Sequence, residues 1–239
     1  MASILNKPHY IRSQPHSCGY VTGQKAITKF FHPSNSMDND IYGELAANGF
    51  RRSGEHVYAP DCPSCARCIP ARLKVSEFNP RKSHLRTIKR NNDLTITQEI
   101  STFNNEHFQL FQAYISARHS ESPMLELSRK DYINFLTASW SQTFFLEFRH
   151  GKELLAVAAI DVLRNGISSV YTFYCPTSSG RSLGNFAILK QIEMARELNL
   201  KWLYLGYWLH DCKKMSYKTN FRPIQFMTSG QWGYPYQKA

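Results

Sequence analysis

Four consecutive stretches carry the fold: Ile167-Ser-Ser-Val-Tyr-Thr-Phe-Tyr174, the loop Cys175-Pro-Thr-Ser-Ser-Gly-Arg-Ser-Leu-Gly184, Phe186-Ala-Ile-Leu-Lys-Gln-Ile-Glu-Met-Ala-Arg-Glu-Leu198, and Lys201-Trp-Leu-Tyr-Leu-Gly-Tyr-Trp208. The first alternates as a strand does. In the third, Leu183, Phe186, Leu189, Ile192 and Ala195 recur at helical spacing. The fourth is a second, aromatic-rich strand. Strand, glycine loop, helix and strand make a βαβ crossover, which is right-handed in nearly all proteins.

Upstream, His107, Leu110, Phe111, Tyr114, Ile115 and Arg118 predict one amphipathic helix, and Tyr132, Phe135, Leu136 and Trp140 a second. Thr143 to Phe148 and Leu154 to Leu163 read as strands of a hairpin turning at His150-Gly-Lys152. The expected class is α+β, with helices on both faces of a mixed sheet. Residues 1–81 are rich in Gly, Pro, Cys and Asn and show one short helical pattern (Ile41, Leu45, Phe50), so they read as a small irregular lobe ahead of a catalytic domain at 82–239.

The 239 residues suffice for a sizeable core, and 42% hydrophobic content argues against a disordered chain. No apolar run reaches the roughly 20 residues of a spanning helix, and His9, Arg12 and His16 interrupt any signal-peptide core, so a cytoplasmic protein without membrane contact is expected. Its 29 Lys and Arg against 18 Asp and Glu give a net charge of +11, which attracts polyanions, nucleic acid first. The segment Ser83 to Asp93 is a basic helix or turn; with its approach it brings Arg81, Lys82, Arg86, Lys89 and Arg90 to water or to RNA.

Of six cysteines, Cys62, Cys65 and Cys68 are spaced so that successive thiolates can converge on one centre, with Cys18 as a fourth ligand for zinc or an iron–sulfur cluster; buried free thiols are the alternative. Cys175 and Cys212 read as structural groups or neighbours of the active cleft. In Tyr204 to Pro223, a strand runs into His210, Asp211, Lys213, Lys214, Lys218 and Arg222, which together form a cationic pocket or, singly, a solvated rim. The loop Arg181-Ser-Leu-Gly184-Asn-Phe186 resembles the phosphate-gripping loop of the GNAT acyltransferases, with Phe186 where those enzymes carry Gly or Ala. A donor other than coenzyme A suits that departure.

Taken in order, Cys18-Gly-Tyr20, Tyr42-Gly-Glu-Leu-Ala-Ala-Asn-Gly-Phe-Arg-Arg-Ser-Gly54, Tyr58-Ala-Pro60, the cysteine triplet with Ile69-Pro-Ala-Arg72, Phe78 to Asp93, Ser182-Leu-Gly184 and Tyr204 to Pro223 resemble the bacterial aspartate/glutamate leucyltransferases, relatives of the arginyl-tRNA–protein transferases. The resemblance covers almost the whole chain. It implies a GNAT-like catalytic fold behind a cysteine-bearing lobe, and leucine transfer from leucyl-tRNA to proteins beginning with Asp or Glu, marking them for N-end-rule degradation. The arginyl branch carries Cys-Gly-Tyr-Cys, whereas this chain has Val21 at the fourth place.

The chemistry requires no cofactor. An α-amine of ordinary pKa, about 7.7–8.0, is roughly a tenth neutral at pH 7 and can attack the ester directly. The expected roles are proton transfer by Asp211 or His210 with Tyr207 orienting them, an oxyanion site at backbone N–H groups of 167–174 or the Gly184 loop, and donor contacts from Arg181, Ser182, Leu183 and Gly184. Arg51, Arg52, Lys214, Lys218 and Arg222 are candidates for the acceptor's carboxylate. Arg81, Lys82, Arg86, Lys89 and Arg90 are candidates for the tRNA backbone. Phe173, Trp202 and Trp208 would line an apolar amino-acid pocket, or serve as core. A monomer is expected. The rival readings are an arginyl donor, an acetyl-coenzyme A dependent N-acetyltransferase, and a non-catalytic metal-stabilised RNA-binding protein.

Overall fold

The computed structural model describes residues 9–32, 36–120 and 122–235. Its strands are β1 (Tyr10–Arg12), β2 (His16–Ser17), β3 (Lys25–Ala26), β4 (Thr28–Phe31), β5 (Arg51–Ser53), β6 (His56–Pro60), β7 (Ile69–Lys74), β8 (Thr95–Ile100), β9 (Thr143–His150), β10 (Glu153–Leu163), β11 (Gly166–Tyr174), β12 (Trp202–Trp208), β13 (Ile224–Thr228) and β14 (Gln231–Gly233). The helices are α1 (Asn39–Ala47), α2 (Lys82–Arg90), α3 (Asn105–Arg118), α4 (Arg129–Leu136) and α5 (Leu183–Glu197).

Eight strands form one mixed sheet in the order β14-β13-β7-β12-β11-β10-β9-β8. The β9–β10 hairpin turns at Gly151, whose φ of +58° suits glycine. The β11–α5–β12 unit is the expected crossover, and β11 and β12 pair in parallel. An α+β protein with a large mixed sheet is the result.

Three packed clusters cover the sheet. On one face α5 sets Leu183, Phe186, Ala187, Ile192 and Ala195 against Leu146, Phe148, Ala156, Ala158, Ile160, Ile167, Leu203 and Leu205. Alternation along β9 and β10 sends Phe145, Val157 and Ala159 to the opposite face, where they meet Phe108, Phe111 and Ile115 of α3 and Tyr132 and Leu136 of α4. Near β12 that same face is covered by α1, through Tyr42, Leu45 and Ala46, which pack with Leu163, Trp202 and Tyr204.

The N-terminal stretch is more regular than expected. It folds β1, β4, β6 and β5 into a four-stranded antiparallel sheet beside α1. Residues 69–74, which precede the expected boundary at 81, form β7 inside the large sheet, between β13 and β12. Pro70, which removes a ladder donor, disguises this strand in the sequence; it sits near the strand's end, opposite Tyr207. No helix among the described residues is long and apolar enough to cross a membrane.

Candidate functional site

The parallel pair β11–β12 stays in register only over Gly166↔Trp202, Ile167↔Leu203 and Ser168↔Tyr204. Both strands are irregular just beyond that point. In β11 the pairing with β10 skips Val170, and in β12 the pairing with β7 skips Leu205. A bulge bends its strand and raises the local twist. The strands therefore separate toward their carboxyl ends, the side on which open α/β sheets bind ligands.

Arg51 stands where they part. Its guanidinium donates to Ser169 O of β11, to Tyr204 O of β12 (3.4 Å) and to Ser168 Oγ (3.1 Å). Ser168 Oγ is also 3.0 Å from the Tyr42 hydroxyl of α1. One cation thus bridges main-chain carbonyls of both strands.

A 3₁₀ segment, Lys213–Asn220, lies at the end of β12. Its Lys218 is 4% exposed, and Nζ donates to Tyr207 O and to Met215 Sδ at 3.3 Å. Burial lowers the Lys218 pKa to about 7, and the Arg51 charge adds to the effect. The neighbouring Tyr217 is pushed up to about 12 by burial, and it feels both Arg51 and Tyr174, the last residue of β11. Cations and tyrosines thus border the gap, with Tyr114 packed on Tyr174 at 4.8 Å between ring centres.

The remaining predicted residues fall into different environments. Arg52 is not an acceptor-binding cation. Its side chain is fully buried against Asp161 (Nε to Oδ2 2.7 Å, Nη2 to Oδ1 2.6 Å), with Leu136 O and Thr143 Oγ1 as further acceptors. The Tyr207 hydroxyl is turned to Gly49 O and Tyr58 O, to which it donates, rather than to His210 or Asp211, and burial raises its pKa. His210 and Asp211 contact each other (2.7 Å) with side chains 82% and 77% exposed, and the His210 bond lowers the Asp211 pKa. Lys214 is exposed with Nζ 3.3 Å from His119 Nδ1, and exposed Arg222 donates to Thr219 O.

The loop before α5 is tied to its surroundings. Arg181 makes a two-pronged pair with Asp93 (both 2.8 Å), which holds the Asp93 pKa down at about 2. Arg90 donates to Gly180 O and Asn91 to Arg181 O. Leu183 is core, and a Cβ on Gly184 would come 3.3 Å from the Tyr174 ring, so this glycine permits close helix–strand packing. The side chains of Arg181 and Leu183 are thereby engaged within the protein. Ser182, in the left-handed region at φ 56°, precedes α5 without a side-chain cap, which leaves backbone N–H groups at the helix start. Phe173 and Trp202 belong to separate cores, and Trp208 packs on Phe226.

On α2, His84 and Thr87 face inward while Arg81, Lys82, Leu85, Arg86, Ile88, Lys89 and Arg90 are exposed. The buried side of the helix is polar: His84 stacks on Phe221 (5.1 Å), and Asn91, just after the helix, donates to Thr87 O. The expected RNA-facing cations share one exposed surface.

The N-terminal cysteines lie near one another. Cys68 is pushed up to about 11 by burial, followed by the neighbouring thiols of Cys18, Cys65, Cys62 and Cys212. Cys212, read from sequence as a structural group or a neighbour of the active cleft, is near them as well. Backbone N–H groups of Tyr20 and Ile27 point at Cys18 Sγ (3.5 Å) and Cys62 Sγ (3.4 Å). The sulfur donors suit a soft metal, but their placement does not: no three His, Cys, Asp or Glu side chains among the described residues are grouped to hold one ion.

Comparison with known proteins adds to this geometry. The family described as "Arginine-tRNA-protein transferase, C terminus" matches residues 106–228, and "Arginine-tRNA-protein transferase, N terminus" matches residues 16–86. A protein of Alcanivorax borkumensis named aspartate/glutamate leucyltransferase is 44% identical over 228 residues, 95% of this chain and 94% of that protein. One of the same name from Pseudomonas fluorescens is 46% identical over 95% of this chain and 97% of that protein. Among solved structures, L-PGS from Bacillus licheniformis aligns over 59% of this chain and 47% of its own, at 17% identity and a TM-score of 0.42.

Proposed function

The chain belongs to the arginine-tRNA–protein transferase family, and from that premise we propose that it moves leucine from leucyl-tRNA to the α-amine of proteins beginning with Asp or Glu, marking them for N-end-rule degradation. The observation that carries this reading is the cationic gap between β11 and β12, where Lys218 and Tyr217 both feel Arg51 and, among the described residues, neither feels a carboxylate. An acidic acceptor side chain is drawn to such a site, and an apolar donor residue tolerates it. An arginyl donor would bring a further cation to the permanent charge of Arg51, so leucine is favoured.

In the proposed arrangement the ester carbonyl enters the gap from the carboxyl ends of the strands. Support for a GNAT-type acyltransferase fold comes from the bulged, splayed parallel pair and the crossover helix with its uncapped N terminus. Backbone N–H groups freed on β11 beyond Ser168 stabilise the tetrahedral oxyanion, and Arg51, Lys214 and Arg222 attract the acceptor's carboxylate. The acceptor stem approaches over α2. A zinc ion or iron–sulfur cluster at Cys18, Cys62, Cys65 and Cys68 would require these thiols to draw closer together than they stand here; the absorption spectrum of protein purified without oxygen reads it, and no step of the transfer uses it. The reaction is assigned to a monomer in the cytoplasm.

The decisive assay offers Asp-starting and Asn-starting peptides with leucyl-tRNA, arginyl-tRNA or acetyl-coenzyme A. Transfer of leucine to the Asp peptide alone is expected. Transfer from acetyl-coenzyme A, or from no donor, would overturn the reading.

A further inference from the structure

Lys218 is the most deeply buried cationic side chain bordering the gap, and its partners define its state. Nζ has two acceptors, Tyr207 O and Met215 Sδ. An ammonium group has three donors and no acceptor, whereas a neutral amine has two hydrogens and a lone pair. Two acceptors match the neutral form, and no carboxylate among the described residues compensates a buried charge here. The groups that face Lys218 are Arg51 from β5, Tyr207 from β12, and Cys212 and Tyr217 from its own segment. Arg51, the permanent charge among them, opposes protonation.

The segment also places this amine. Lys218 is bonded to β12, while the adjoining Tyr217 feels Tyr174 at the end of β11. Lys218 therefore lies where the diverging strands open, and a nucleophile must enter there to reach an ester held between them. His210 and Asp211, the groups expected from sequence to accept the proton, project into solvent instead.

We infer that Lys218 is the general base of the transfer, accepting through its lone pair the proton that the acceptor α-amine loses as it attacks the ester. This rests on the aminoacyl-transfer reading above. The nitrogen–carbon bond to the leucyl carbonyl forms and the carbon–oxygen ester bond to the tRNA ribose breaks. The proton passes from nitrogen to Lys218 Nζ and then to the departing ribose oxygen. The pKa of about 7 is matched to that exchange near neutral pH.

The test is single-turnover leucine transfer from leucyl-tRNA to an Asp-starting peptide between pH 5.5 and 9, with wild type, Lys218→Met and Lys218→Arg. Methionine fills a similar volume and removes the cost of burying an amine, so that variant is expected to fold even if the arginine does not fit; thermal melting checks this. Wild type should show two ionisations on the acid side, one from the peptide amine and one near pH 7. Lys218→Met should lose about 10²- to 10⁴-fold in rate with unchanged peptide affinity, and should retain only the ionisation of the peptide amine. A folded Lys218→Met protein with near wild-type rate, or with both ionisations intact, overturns the inference. Absence of leucine transfer by wild type overturns the aminoacyl-transfer reading instead.

Discussion

Gly206 makes room for Arg51: at φ +76° it has no side chain, and a Cβ placed on it would lie 3.2 Å from Arg51 Nε and 3.4 Å from its Cζ. The glycine that kinks β12 and the cation that stands where the strands part are one arrangement. Gly206→Ala would impose a left-handed conformation on a residue with a Cβ, about 1–2 kcal/mol, and would push against the guanidinium as well. The expected result is a melting temperature lowered by several degrees and a transfer rate reduced more than stability alone explains. A variant with wild-type stability and rate would show that Arg51 has freedom to shift.

Arg52 and Asp161 predict a purely structural loss. Removing one partner of a fully buried, hydrogen-bonded pair leaves an uncompensated charge, at a cost of roughly 3–5 kcal/mol. Arg52→Met and Asp161→Asn should each lower the urea midpoint strongly while leaving acceptor discrimination intact in the folded fraction. A loss of Asp-over-Asn preference in Arg52→Met protein that is still folded would return this residue to the acceptor site.

Lys218 also gives a stability prediction with a definite sign. Its folded pKa, about 7, lies below the ordinary lysine value of 10.5. Between those values the unfolded chain binds a proton that the folded chain does not, so its contribution to stability rises with pH through that window, at up to about 1.4 kcal/mol per pH unit. Below pH 7 the folded protein carries the whole cost of a buried ammonium. Subtracting the pH profile of Lys218→Met from that of wild type, in urea unfolding, should give this slope. A flat difference would mean that Lys218 stays charged.

The exposed face of α2 predicts salt-sensitive tRNA binding. Replacing Lys82, Arg86 and Lys89 by Gln removes three exposed cations from one surface. Leucyl-tRNA affinity should fall, and the slope of log affinity against log salt should flatten by about one for each phosphate no longer neutralised. The peptide's affinity should not change. An unaltered salt slope would place the RNA elsewhere.

Local patterns fixed much of the fold, because period and turn chemistry are local properties. Alternation and helical spacing over 167–208 gave the crossover unit, and Gly151 marked the hairpin. What lay beyond them was pairing between distant residues. Arg51 and Arg52 are neighbours of identical chemistry, and no pattern separates them; successive residues of a strand point to opposite sides, so one wedges β11 from β12 and the other meets Asp161, 109 positions away. Lys214 and Lys218 stand in one short segment, yet packing against β12 buries only the second. The sequence alone determined a basic α+β chain of the leucyltransferase type. Which cations remain at the site was decided by tertiary structure, because burial and long-range hydrogen bonds determine whether a charge is satisfied, exposed or neutralised.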